Sequence, residues 1–405
     1  MTGNRSVLFV APGREQLLAG ALWVVLANWA EASERRYGAA PVITPDAVLT
    51  PTEARDLAFS PGSGTPPSRG RARGQDIKRL AKDGRALGRA LRYSFAVPSP
   101  EVSQPLYVWQ HHDLFQRAGF RLARRLEVPL VLYVHAPQVW EARQWGVTRP
   151  GWGRIVEWLG EQPQFEAADL VACVSEEVAA ATVALGADPR RVMVAPCTAD
   201  AERFDGASPR RVELGFTDEI VVGWVGTFRP FHHVDLLIRA AAEARRSCPR
   251  LVLLLVGDGP TRAACEALAR ELDVPCRSIG TVDQSHVPAL IKSFDIAVVP
   301  SGVGEFHYSP LKLKEYLAAR RASVLPRAGE MARSLVDRRD ALFYEPGDQP
   351  GLRDAIEELA KSRQLRESIA SAGHKRFEEN FTIERQLDEV EDRLNGPLRR
   401  RQPRG

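Results

Sequence analysis

Several things are scarce in this chain, and each scarcity excludes a class of protein. Five cysteines in 405 residues (Cys173, Cys197, Cys248, Cys265 and Cys276), odd in number and without a CxxC pair, exclude a disulfide framework and a cysteine-clipped metal site. A reducing, cytoplasmic setting is expected. The net charge of +4 is too small for the global basic field of a nucleic-acid binder, although it allows a local basic surface. No apolar stretch approaches the ~20 residues of a membrane-spanning helix. The opening "MTGNRSVLFVAPG" has an apolar run too short for a signal-peptide core and reads as a first strand. The expected location is cytoplasmic, or peripheral at the inner face of a membrane.

The chain does have apolar runs, rich in valine, leucine and isoleucine and without alternation: "SVLFVA", "PLYVW", "PLVLYVH", "LVACVS", "VMVAP", "IVVGWVG", "LVLLLVG" and "IAVVPS". Strands buried on both faces read this way, and helical patterns lie between them, so the fold class is α/β with two parallel sheets. The first domain is expected over 1–205, ending near "VMVAPCTADAERF", and the second over 206–380, beginning with the linker "DGASPRRVELGFTDE". In "HVDLLIRAAAEA", Val234, Leu237, Ile238 and Ala241 share one helix face, and "CEALARELDV" is a second helix. A terminal helix over 381–396 has Thr382 as its cap and a stripe of Ile383, Leu387, Val390 and Leu394 that needs a partner surface.

Residues 60–74, "SPGSGTPPSRGRARG", read as a flexible loop, and "QDIKRLAKDGRALGRALRY" as a basic helix. Nine basic residues from Arg69 to Arg92 stand against Asp76 and Asp83. That segment is either a surface for anionic lipid or an anionic acceptor, or a solvated face. The basic tail 397–405 is read as solvated.

The chemistry is concentrated in "YSPLKLKEY", Tyr308 to Tyr316. Ser309 fits an N-cap and Pro310 the first helical position, which leaves the N–H groups of Leu311 and Lys312 open at a helix N-terminus where an anion is favoured. Lys312 adds a positive charge, and Glu315, on the same face, can accept two hydrogen bonds from a ribose diol. An ordinary surface ion pair explains the same spacing. In "VGWVGTFRPFHHVDLL" a buried strand ends at Gly226 and the turn after it carries Arg229, whose fork of donors suits a diphosphate; His232 and His233 follow it. In "LVLLLVGDGPTR", Gly257 opens either a phosphate loop or a tight strand-to-helix turn.

In their order, "VGWVGTFRPFHHVDLL", "LVLLLVGDGP", "IGTVDQSHVPALIKSFDIAVVPS", "YSPLKLKEYLAAR" and "FYEPGD" resemble the C-terminal, donor-binding domain of the retaining family-4 glycosyltransferases of the GT-B fold. The N-terminal half is similar through "PLVLYVHAP", "EAADLVACVSEEV" and "VMVAPCTADAERF". The resemblance implies two Rossmann-like domains facing across a cleft, with the last helix crossing back to the N-terminal, acceptor-binding domain. It makes Glu315 the ribose ligand, Arg229 and Lys312 the pair that neutralises the donor diphosphate, and Leu311 a backbone phosphate contact. His135 is implied to face the transferred sugar and Gly13 to border the donor phosphates.

Three positions depart from the family pattern. His307 stands where a first glutamate is usual, "FHH" replaces a lysine after Arg229, and Cys197, Thr198, Ala199 and Asp200 replace an "NGVD" pattern. The expected activity is transfer of a hexosyl group, with retention, from a UDP- or GDP-linked donor to a glycan, glycolipid or metabolite hydroxyl. No metal and no cofactor beyond the donor is expected. A nucleotide-binding subunit without catalysis and a sugar-nucleotide epimerase are the other readings.

Overall fold

The apolar runs become strands because extended segments buried on both faces need apolar residues at every position rather than at alternate ones. The structure, a computed structural model, describes residues 5–12, 21–57, 75–95, 105–144, 146–304 and 309–396. It divides into two units, with breaks between Cys197 and Thr198 and between Thr382 and Ile383.

The first unit holds β1 (Arg5–Val10), β2 (Gly38–Ala39), β3 (Val42–Ile43), β4 (Val48–Leu49), β5 (Pro105–His111), β6 (Leu130–Val134), β7 (Leu170–Cys173) and β8 (Val192–Val194). They lie in the order β4-β3-β1-β5-β6-β7-β8, with β2 beside β1. All neighbours are parallel except β3 and β4. The strand order reverses direction between β1 and β5, and the carboxyl ends of β5 and β6 bring His111 and Tyr133 into register.

The second unit holds β9 (Ile220–Val225), β10 (Leu251–Val256), β11 (Cys276–Ile279), β12 (Ile296–Val298), β13 (Ala322–Pro326) and β14 (Leu342–Tyr344), all parallel, in the order β11-β10-β9-β12-β13-β14. Alternate residues of β10 feed opposite layers: Leu251, Leu253 and Leu255 join Trp224, Leu237 and Ile356, while Val252, Leu254 and Val256 join Phe294, Leu313 and Tyr316. Each fully buried side chain of this size contributes about 1.5–3 kcal/mol. The order reverses between β9 and β12, which opens a crevice at their carboxyl ends, the place where open α/β sheets bind ligands.

Three expectations need correction. The boundary lies at Cys197 rather than near residue 206, because Ala199 and Phe204 are buried in the second unit's core. "DGASPRRVELGFTDE" is no linker: Phe216 is buried, and Arg211 pairs at 2.7 Å with Asp295, which also accepts the Val221 N–H. Strands β2, β3, β4, β11, β13 and β14 lie outside the eight apolar runs: β2, β3 and β4 have two residues each, "CRSI" of β11 is polar at an edge, β14 is a short edge strand, and β13, though buried throughout, breaks its apolar residues with Ser323 and Pro326. The loop 60–74 and tail 397–405 lie outside the described residues.

The last helix, Ile383–Asn395, belongs to the first unit. Its stripe of Ile383, Leu387, Val390 and Leu394 is buried. Arg36, on the Ala21–Tyr37 helix, pairs with Asp388 at 2.7 Å and Glu391 at 2.9 Å, and Gln386 donates to the Pro196 carbonyl at 3.2 Å.

Candidate functional site

In the second unit the reversal point between β9 and β12 gathers most of the sequence-derived site residues. The turn after β9 and the turn after β10 are pinned together: Gly226 N–H donates to Val256 O (3.0 Å), and Phe228 N–H to Asp258 O (2.9 Å). A β-carbon on Gly257, whose φ is +125°, would lie 1.9 Å from the Gly226 carbonyl oxygen. Glycine is therefore required there by backbone against backbone.

Gly226 leaves room for a charge. A β-carbon there would stand 2.8 Å from Lys312 Nζ, so the ammonium lies over the bare turn, 4.7 Å from the Trp224 ring centroid. Burial, only partly offset by the Glu315 carboxylate, holds Lys312 down to about 7. The site thus keeps a cation in a place that disfavours it until an anion arrives.

Arg229 follows in the same turn, and among the described residues its guanidinium has no carboxylate partner. His232 reports where these charges converge. Burial, then the fields of Lys312 and Arg229, push its imidazole down to about 2, so it stays neutral and its Nδ1–H donates to the Thr227 carbonyl. His233, at φ +47°, packs its ring on Gly302, where a β-carbon would meet it at 2.3 Å. His232 thus walls the cation site while His233 packs on Gly302, a division their adjacency in "FHH" did not disclose.

The helix that carries Lys312 and Glu315 spans Leu311–Ala318. It begins one residue later than expected, and Ser309 is not its cap: Pro310 stands at the cap position with extended backbone and no side-chain bond. Leu313 N–H donates to Pro310 O at 3.1 Å, which leaves the N–H groups of Leu311 and Lys312 at the open end. Val225 N–H donates to Tyr316 Oη at 3.1 Å, tying this helix to the end of β9. Glu315 is buried.

Ser309 instead donates its hydroxyl to Glu330 Oε2 at 2.6 Å, and Glu330 also holds the fully buried Lys314 ammonium, which lies 4.2 Å from the Phe381 ring centroid. This lock fixes the approach to the helix from below. Sequence reasoning missed it because Glu330 is sixteen residues beyond Lys314. Removing one partner of such a buried pair costs about 3–5 kcal/mol.

In the first unit, His135 follows β6 directly. Its ring meets Tyr133 edge-on at 5.0 Å and His111 at 5.3 Å, and Cys197 Sγ lies 3.9 Å from its Nδ1. Its Nε2 is buried without a partner among the described residues, and burial with the charge of His112 pushes it down to about 3. His111 is likewise held well below its ordinary value by burial. The Gln138–Gln144 helix begins on Glu161, which accepts the N–H of Gln138 at 2.5 Å and of Val139 at 3.4 Å, while burial raises its carboxyl to about 8. His111, His112 and Glu161 were not found from sequence; the doublet "HH" at a strand end was the available signal.

Gly13 and His307 lie outside the described residues. Arg229, Lys312, Gly226 and Gly257 stand together at the reversal point, with Glu315, Leu311 and Pro310 on the adjoining helix start; His135 belongs to the other unit.

Residues 24–203 match the family described as Glycosyltransferase Family 4, and residues 219–362 that described as Glycosyl transferases group 1. Among curated proteins, D-inositol 3-phosphate glycosyltransferase of Geodermatophilus obscurus is 30% identical over 302 residues, 70% of this chain and 64% of that protein. D-inositol 3-phosphate glycosyltransferase 2 of Catenulispora acidiphila is 30% identical over 278 residues, 62% of this chain and 64% of that protein. The chain thus spans 64% of the length of either relative. Among solved structures, Anabaena HepE in complex with UDP-glucose aligns with a TM-score of 0.64 at 17% identity, covering 96% of this chain and 99% of that one. Sucrose-phosphate synthase of Thermosynechococcus elongatus aligns with 0.64 at 16%, with the same coverage.

Proposed function

From a chain that pairs a Glycosyltransferase Family 4 segment with a Glycosyl transferases group 1 segment on the GT-B fold, we propose a retaining glycosyltransferase that moves a hexosyl group from a nucleoside diphosphate sugar to an acceptor hydroxyl. The observation that carries this reading is the cation site at the β9/β12 reversal point. Arg229 and Lys312 converge there beside the open N-terminus of the Leu311–Ala318 helix, with the buried Glu315 one turn on.

In this reading the diphosphate lies over Gly226, and its charge restores Lys312 to its protonated state. The barrier is expulsion of the diphosphate, so preorganised positive charge stabilises the leaving group as its charge develops. Protein groups supply that charge, and no metal is invoked. Glu315 accepts the ribose hydroxyls, a feature that uridine and guanosine donors share. UDP has the stronger support, because the solved structures similar in fold include one bound to UDP-glucose.

The test is calorimetric titration of the purified chain with UDP, GDP and their sugar conjugates, followed by slow donor hydrolysis. Binding with hydrolysis is expected. Binding without hydrolysis, even with a panel of acceptors, supports a nucleotide-binding subunit instead, and no binding overturns the reading of the site.

A further inference from the structure

The Gln75–Phe95 helix of the first unit has a well-held inner face and an outer face that is largely exposed. Inside, Asp83 accepts from Arg149 Nε at 2.8 Å and Trp152 Nε1 at 3.0 Å, Tyr93 donates to Ile43 O at 2.7 Å, and Ala86 and Ala90 pack with Val156. These contacts order the helix without using the rest of its circumference.

Its outer half is split lengthwise. At 3.6 residues per turn, Leu80, Leu87, Leu91 and Phe95 fall within an arc of about 80°, and Lys78, Lys82, Arg85, Arg89 and Arg92 within another of about 80°. All four apolar residues are exposed, Phe95 by 71% with the Arg121 guanidinium 3.8 Å from its ring centroid. Arg85, Arg89 and Arg92 line one shallow depression with Gly88. Between the stripes run Ala81 and Gly88, while Gly84 falls within the apolar stripe, and a β-carbon on either glycine would meet nothing within 4 Å among the described residues. No packing demand explains two glycines in mid-helix, where each costs roughly 0.5–1 kcal/mol.

The neighbouring Gly153–Gly160 helix, which supplies Val156 to the same cluster, exposes Ile155, Leu159 and Trp158, the last by 64%. Seven of the twelve large apolar side chains exposed among the described residues therefore sit on these two adjoining helices. Scattered exposed apolar residues need no explanation, but a concentration beside a cationic stripe does.

We propose that this surface docks on an anionic phospholipid bilayer, the leucines and phenylalanine entering the headgroup region while the basic stripe meets lipid phosphates. The charge pattern selects the occupant. A second copy of this chain would bring a like charge, and the preceding segment 58–74 carries Arg69, Arg71 and Arg73 with no acidic residue. Nucleic acid would satisfy the arginines and leave the apolar stripe without a role. The proposal stands apart from the donor-site reading and does not depend on it.

The test is flotation of the full chain with phosphatidylcholine vesicles, with and without phosphatidylglycerol, at low and high salt. Binding to the mixed vesicles, weakened by salt, is expected. Arg85→Gln with Arg92→Gln should weaken it about thirtyfold, since each basic residue near an anionic surface adds a similar increment. Leu87→Ser with Leu91→Ser should weaken it at either salt, and thermal unfolding unchanged from the parent will show that both variants fold. Failure to float with anionic vesicles, parental binding by both variants, or salt-sensitive capture of RNA in place of vesicles would overturn the proposal.

Discussion

Both sheets place candidate chemistry at the carboxyl ends of neighbouring strands, yet the two places treat charge in opposite ways. After β5 and β6, burial keeps His111 and His135 neutral, and the rings pack on one another and on Tyr133. After β9 and β12, Lys312 is held at a balance point near 7, and its field and that of Arg229 both depress the buried His232. One topology thus supports a neutral hydrogen-bonding site and a cation site waiting for an anion. The residue types at the strand ends decide which, because strand order only determines where a crevice opens.

The largest break in this contrast should come from Lys312→Met. Donor turnover is expected to fall on the order of 10²–10³-fold, as for loss of one preorganised donor to a developing anion. The same variant should raise the melting temperature at pH 6–7. The folded-state pKa of Lys312 lies below its ordinary value, so burying the ammonium destabilises the fold fully below pH 7, and that penalty fades as pH rises through 7 toward 10.5. A melting temperature lowered at pH 6 would contradict this account of the site.

Next in size is Glu315→Ala, expected to weaken nucleoside diphosphate binding by about 10–100-fold through loss of charge-assisted hydrogen bonds, with the fold intact. Parental affinity by calorimetry would remove Glu315 from the ribose site.

A smaller effect sharpens the comparison through pH. Nucleotide affinity should be full below about 7 and fall by up to about tenfold per unit above it, until the bound-state pKa of Lys312 is reached. Calorimetry at pH 8 in buffers of different ionisation heat should record net proton uptake, since a terminal phosphate no longer titrates there. Zero uptake would mean that Lys312 is already protonated in the empty site. The smallest effect is expected from His111→Phe. A neutral ring without a hydrogen-bond partner among the described residues, replaced by a similar one, should change turnover less than about tenfold, because cost depends on shape here and not on charge. A larger loss would show that His111 acts chemically.

Much of the fold could be read in advance. Eight apolar runs correspond to buried strands, because burial on both faces leaves a local signature in composition. The remaining strands left no such signature: β2, β3 and β4 have two residues each, β11 is half polar, and β13 breaks its apolar residues with Ser323 and Pro326. Arg229, Lys312 and Glu315 were legible as residue types suited to a diphosphate and a ribose. Ser309 misled because serine before proline imitates a cap, whereas its hydroxyl has a stronger acceptor in Glu330.

The sequence by itself determined two parallel α/β units, the helix that opens at Leu311 within one residue, and the identity of the cations near it. Only the tertiary structure decided that Phe204 joins the second core, that Ser309 and Lys314 meet on Glu330, and that Lys312 stands over Gly226 beside a neutral His232. The reason is physical. Periodicity and composition record what each segment buries, but a pKa, a lock such as Ser309–Glu330–Lys314, or a required glycine depends on which distant segment arrives opposite it.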